Sequence, residues 1–136
     1  MADTFEFDLV SPERLLASEE VEMVVVPGGD GDFGILPGHS PLLSTVRPGV
    51  LDVYEDNAVR DRVFVAGGFA EVADGRLTVL AEEAMAVEDI DRGQAEARLE
   101  AANQALAEAN EEGAKRRAAE AEVAAAEAMV EAAPAG

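Results

Sequence analysis

The chain of 136 residues has no cysteine and no tryptophan, and only one histidine and one tyrosine. Disulfides, thiolate metal sites and cysteine nucleophiles are therefore unavailable, a composition that fits a reducing compartment. Positive charge is scarce as well: ten Lys or Arg stand against 29 Asp or Glu, for a formal net charge of −19. Binding a phosphate backbone or an anionic lipid surface requires a basic patch that displaces counterions, so neither nucleic acid nor direct membrane insertion is expected. No apolar run approaches the ~20 residues that cross a bilayer as a helix. The start, Met1-Ala2-Asp3-Thr4-Phe5-Glu6, has neither the basic flank nor the apolar stretch of an export signal.

What is present divides in two. From Thr4 to about Val87 short alternating runs are split by turn residues, the pattern of an antiparallel sheet with one buried face. Phe5, Phe7 and Leu9 alternate with Glu6 and Asp8; Val21, Met23 and Val25 are expected to share a face; Val50 to Tyr54, Val59 to Val65 and Leu77 to Ala81 supply further strands. Asp56-Asn57, Gly67-Gly68 and Asp74-Gly75 are residue types that accept the positive φ of tight hairpins, which predicts that neighbours in sequence are neighbours in the sheet. At ~5 residues per strand, about eight to ten strands result, and so many short strands fold over into a two-layer sandwich.

After Val87 the composition turns to Ala, Glu and Arg without proline or aromatics until Pro134, so helix becomes the expectation. Asp89 or Asp91 can cap the first helix, and Asn110 to Gly113 marks its stop. Ala95, Leu99, Ala102, Leu106 and Ala109 repeat at spacings of four and three, as do Ala119, Val123, Ala126, Val130 and Ala133. Two narrow stripes predict a helical hairpin. Its seam is mostly methyl groups, so by the rule of ~25 cal/mol per Å² it is weakly held and able to open or swing. The predicted fold class is thus α+β: an antiparallel β-sandwich over residues 1–87 followed by a two-helix tail over residues 88–136.

The segment Gly34-Ile35-Leu36-Pro37-Gly38-His39-Ser40-Pro41-Leu42-Leu43 encloses the sole histidine between two φ-locked prolines and two glycines. It reads as a rigid, shaped corner. A metal site would need several clustered ligands, and catalysis would need an oriented nucleophile; neither accompanies His39. Ser40 has no adjacent base. The imidazole either holds its own loop by hydrogen bonds or contacts a partner. Beside it, Asp30-Gly31-Asp32 has the first spacing of a calcium loop but lacks the further oxygen ligands, because Gly34 stands at the next alternate position. It reads as a hairpin tip with solvated acids. No metal and no cofactor are expected, and the chain does not read as an enzyme.

This run resembles the signature of the epsilon subunit of the rotary ATP synthase, in which a glycine-bounded Ile-x-Pro-Gly-His-x-Pro-Leu-Leu follows an early strand. Phe7-Asp8-Leu9-Val10-Ser11-Pro12-Glu13, Arg47-Pro48-Gly49, Gly67-Gly68-Phe69 and the acidic start of the Ala-rich tail are similar in order and spacing, so the resemblance covers nearly the whole chain. It implies a non-catalytic central-stalk subunit that couples proton-driven c-ring rotation to the gamma shaft for ATP synthesis. Ile35, Leu36, His39, Pro41 and Leu42 would then face gamma, and Asp30, Gly31, Asp32 and Phe33 would touch the polar loops of the c-ring. Relatives also occur in mitochondria, as delta, and in chloroplasts, as epsilon, but with no basic, Ser-rich leader visible the expectation is a bacterial protein on the cytoplasmic face of the inner membrane, peripheral and held by its partner subunits.

Relatives carry an Ile/Leu-Asp-x-x-Arg-Ala motif associated with ATP binding at the start of the first tail helix. Here it reads Ile90-Asp91-Arg92-Gly93-Gln94-Ala95, with Gln94 in the arginine position. That removes the bidentate phosphate fork and leaves Asp91 and Arg92 as the nucleotide candidates, Asp91 being equally a helix cap. The family's tail also regulates ATP hydrolysis through basic contacts with the catalytic alpha/beta head. This tail has twelve acids against five bases, so Lys115, Arg116 and Arg117 are its candidates for that contact. By itself, such a cluster reads as a solvated face pairing with Glu112 and Glu120. The alternative function is a free-standing nucleotide or anion sensor whose hairpin closes on a ligand near Asp91 and Arg92.

Overall fold

The computed structural model describes residues 3–109 and 113–134. Ten strands come first: β1 Phe5–Val10, β2 Leu15–Val21, β3 Met23–Gly28, β4 Gly31–Ile35, β5 Leu42–Val46, β6 Gly49–Glu55, β7 Ala58–Val65, β8 Gly68–Ala73, β9 Arg76–Ala81 and β10 Ala84–Ala86. They form one continuous sheet in the order β10-β7-β6-β3-β5-β8-β9-β1-β2, with β4 paired to β3. The sheet folds over on itself into a sandwich. Its interior is filled by alternate residues: Phe5, Phe7 and Leu9 from β1, Val24 and Val26 from β3, Leu51 and Val53 from β6, Leu77 and Val79 from β9.

Turn chemistry explains most of the order. Asp56 and Asn57 both have positive φ, as do Asp74 and Gly75, giving tight hairpins between β6 and β7 and between β8 and β9. Gly67 and Gly68 behave differently from the expectation. Their φ values of +117° and +150° serve a crossover: β7 pairs with β6 and β10, whereas β8 pairs with β5 and β9. A Cβ on Gly68 would stand 1.8 Å from the Leu80 carbonyl oxygen, so glycine here permits two backbones to touch. One pair, β1 with β9, is parallel in an otherwise antiparallel ladder.

The expected face of Val21, Met23 and Val25 is corrected. A bend at Glu22 separates β2 from β3, so Val21 is buried but the phase then shifts, and Val24 and Val26 point inward while Met23 and Val25 are half-buried. Alternation holds only along one uninterrupted strand.

A 3-10 turn, Val87–Asp89, leads into α1 (Arg92–Glu108), which is antiparallel to α2 (Ala114–Ala132). Asp91 caps α1 by accepting the Gln94 backbone N–H at 2.9 Å, while Asp89 lies in the preceding turn. Of the expected helix stop, Gly113 precedes α2 with φ of +139°, and 110–112 lie outside the described residues. The stripes are partly as expected: Ala95, Ala102, Ala119, Ala126 and Ala133 are buried, Leu99, Leu106, Val123 and Val130 are half-buried, and Met129 and Ala125 join the buried set. The tail rests on one outer sheet face, where Phe64, Val87 and Ile90 meet Ala95, Met129 and Ala133.

Candidate functional site

The two candidate contact segments lie at opposite ends of β4. At one end the β3–β4 turn carries Asp30, Gly31 and Asp32 exposed, while the Phe33 ring packs partly against the core. Arg47, from the turn before β6, staples this tip: Nη1 donates to the Gly28 carbonyl at 2.6 Å and Nη2 to Asp32 Oδ1 at 2.5 Å. Arg47 holds the tip's shape and was absent from the candidates read from sequence. Its signal is the Arg-Pro-Gly turn itself, which ends β5 and turns the guanidinium back toward β3.

At the other end of β4 the chain enters the Pro-Gly-His corner. The His39 backbone N–H donates to the Leu36 carbonyl at 3.1 Å, closing a turn in which Gly38 has φ of +82°. The imidazole Nδ1 donates to the Ser40 carbonyl at 2.7 Å, which points the rest of the ring outward. The ring therefore both ties its own loop and stays exposed. Leu36 and Pro41 are exposed and Leu42 is half-buried against the core. Ile35 differs from its expected role: at 1% exposure it belongs to the sandwich interior and presents nothing to a partner. The inward phase of β4 dictates this.

A third feature escaped the sequence reading. On the outer face away from the helices, cross-strand pairs join Leu15 to Val10, Val10 to Leu80 and Leu80 to Phe69, with Leu43 on the neighbouring strand. Leu15, Leu43, Phe69 and Leu80 are 52–72% exposed. These large apolar side chains occupy outward-phase positions where alternation calls for polar residues. That break in phase, visible at Leu80 between inward Val79 and Ala81, is the signal that could have found them. The row beside it is polar: Asp8 accepts from Ser18 and Arg76, and those hydrogen bonds, Ser18 first, hold its carboxyl below its usual range.

The tail candidates are engaged internally. Asp91 is the α1 cap, and Arg92 donates from Nη2 to the Ala133 carbonyl at 3.0 Å and from Nε to the Pro134 carbonyl at 3.3 Å, covering the end of α2. Lys115 and Arg117 are exposed; Arg116 donates to the Ala109 carbonyl at 3.1 Å. The expected partner Glu112 lies outside the described residues. Among the described residues there is no cluster of three or more His, Asp or Glu side chains placed to hold a metal ion, and no helix is long and apolar enough to cross a membrane.

Comparison with known proteins follows the same lines. The family model "ATP synthase, Delta/Epsilon chain, beta-sandwich domain" matches residues 4–87. This chain belongs to that family. The ATP synthase epsilon chain of Rhodospirillum rubrum is 61% identical over 108 residues, 79% of this chain and 81% of its own length. That of Granulibacter bethesdensis is 43% identical over 134 residues, 98% of each chain. In the solved Euglena gracilis mitochondrial ATP synthase, OSCP/F1/c-ring in rotational state 1, a chain superposes with a TM-score of 0.77 at 26% identity, covering 93% of this chain and 79% of that one. A chain of the Tetrahymena thermophila enzyme shares the fold, with a TM-score of 0.61 at 17% identity. Membership of that family does not favour the free-standing sensor as the chain's function; Asp91 and Arg92 both engage helix ends.

Proposed function

We propose that the chain is the epsilon-type subunit of a bacterial ATP synthase central stalk, a rigid adaptor that performs no chemistry and transmits c-ring rotation to the gamma shaft during ATP synthesis. The observation that carries this reading is that two exposed, stiffened contact segments occupy the two ends of one five-residue strand, β4, which is about 15 Å long at the usual rise. Two partners can be touched at once by one wedge. The Asp30–Phe33 tip, held by Arg47, faces the polar loops of the c-ring; Leu36, His39, Pro41 and Leu42 face gamma, with Ile35 supporting them from the core. The bare apolar row of Leu15, Leu80, Phe69 and Leu43 extends the gamma surface, because exposed aliphatic and aromatic groups of this extent mark protein interfaces.

Docking belongs to residues 1–87 and leaves 88–136 as a tail, whose exposed Lys115 and Arg117, with Arg116, form the one basic stretch for the catalytic alpha/beta head. Asp91 and Arg92 act as helix-end caps. The subunit sits peripherally at the cytoplasmic face of the inner membrane, attached through its partners. Replacing Asp30 and Asp32 of the Asp30–Phe33 tip by Ser, with the core-packed Phe33 kept, and measuring proton-coupled ATP synthesis in membrane vesicles tests the adaptor role. Synthesis is expected to fall severalfold while the variant remains folded; undiminished coupling would overturn the reading. For the gamma face, Phe69→Ser with Leu80→Ser is expected to weaken retention on immobilised gamma by about tenfold or more, with little change in melting temperature.

A further inference from the structure

A dense charge constellation outside the docking faces lies where the tail meets the sandwich. Arg98 of α1 donates from Nε and Nη2 to the Glu122 carboxylate of α2 at 2.7 and 3.0 Å, and from Nη1 and Nη2 to the Glu83 carboxylate at 3.0 and 2.9 Å. Both edges of its planar fork are filled. Glu83 sits between β9 and β10, and its carbonyl accepts the Ala66 backbone N–H at 2.9 Å, so it is a fixed post on the sandwich. Glu122 travels with α2. The Arg98 Nη1 also lies 3.8 Å from the Met129 sulfur, in the apolar patch beneath the helices.

We propose that the Glu83–Arg98–Glu122 triad is the clasp that sets the docked-versus-open equilibrium of the helical hairpin, closing the tail with the chain's own carboxylates and without a small anionic ligand. Apolar attachment alone is thin: beyond Phe64, Val87, Ile90 and Met129, the tail's contact with the sheet is largely alanine. Isolated surface ion pairs contribute little, but one guanidinium bridging two carboxylates in bidentate geometry on three separate elements is the arrangement in which they do. Arg92 secures the far end of α2, so the two cations of α1 are both directed at α2. A phosphate entering at Arg98 would first have to displace two carboxylates. With side-chain exposures of 26% for Arg98, 39% for Glu83 and 44% for Glu122, the clasp is within reach of screening ions.

Hydrogen–deuterium exchange of the full-length chain tests this, separately from any docking experiment. Arg98→Met, which keeps the stem, is expected to speed amide exchange across 114–132 by about tenfold while strands β6 to β9 keep their rates; Glu83→Gln, outside the helices, should act in the same direction more weakly. Raising sodium chloride from about 20 to about 500 mM, past the range where the screening length falls below about 5 Å, should accelerate exchange in the wild type and not in Arg98→Met. The pair Arg98→Glu with Glu122→Arg regenerates one cation between two acids and should recover much of the protection. Unchanged α2 exchange in Arg98→Met, or equal acceleration of helices and strands, would overturn the clasp. Millimolar ATP should leave wild-type α2 exchange within twofold; a larger gain in protection would overturn the ligand-free closure.

Discussion

Two glycines separate the effects of backbone angle and of space. At Gly38, with φ of +82°, an added Cβ would meet nothing within 4 Å, so Gly38→Ala incurs only the left-handed strain, roughly 1–2 kcal/mol. Gly68 adds the 1.8 Å approach to Leu80, which no rotamer relieves. Gly68→Ala should therefore destabilise by more than Gly38→Ala, about 3 kcal/mol or above, read as the shift in urea midpoint of the two variants. Arg47→Ala is a different kind of lesion. Removing the staple leaves the core intact and loosens the Asp30 tip, so faster amide exchange at 29–32 is expected with a melting temperature nearly unchanged.

At the scale of elements, the hairpin has a pH signature. Arg98 hydrogen-bonded to Glu122 holds that carboxyl below its ordinary value of 4.5 despite partial burial. Folding is thereby favoured by an ionised Glu122, a contribution complete above the unfolded value and lost as pH falls through the lower, folded one. Helical content followed by circular dichroism should drop as pH falls below about 4.5 in the wild type, and the drop should be shallower in Glu122→Gln. The strands and helices themselves were largely legible beforehand. Phe5, Phe7 and Leu9 gave β1, Asp56-Asn57 and Asp74-Gly75 gave two hairpins, and the alanine-rich stripes gave α1 and α2, because each signal is local. What sequence did not disclose was relational: the Gly67-Gly68 crossover, the phase shift at Glu22, the burial of Ile35, and the outward apolar row. The crossover and the full extent of the row depend on which strands become neighbours, the Glu22 shift and the Ile35 burial on where one strand's phase begins, and Arg98 as a bridge on three segments meeting.

For the molecule as a whole, the sandwich core around Phe7, Val24, Leu51 and Val79 is complete without the tail. A chain ending at residue 90 should therefore still fold, but with Phe64, Val50 and Val87 newly exposed; brighter binding of an apolar dye and a melting temperature several degrees lower are expected. The parallel pairing of β1 with β9 has a further consequence for biosynthesis. The first strand made cannot close its ladder until the ninth has left the ribosome, some 70 residues later, an interval of about 4–14 s at ordinary translation rates. Throughout that interval the nascent hairpin of β1 and β2 carries Phe5, Phe7 and Leu9 uncovered, so it is a segment that a chaperone's shelter would serve.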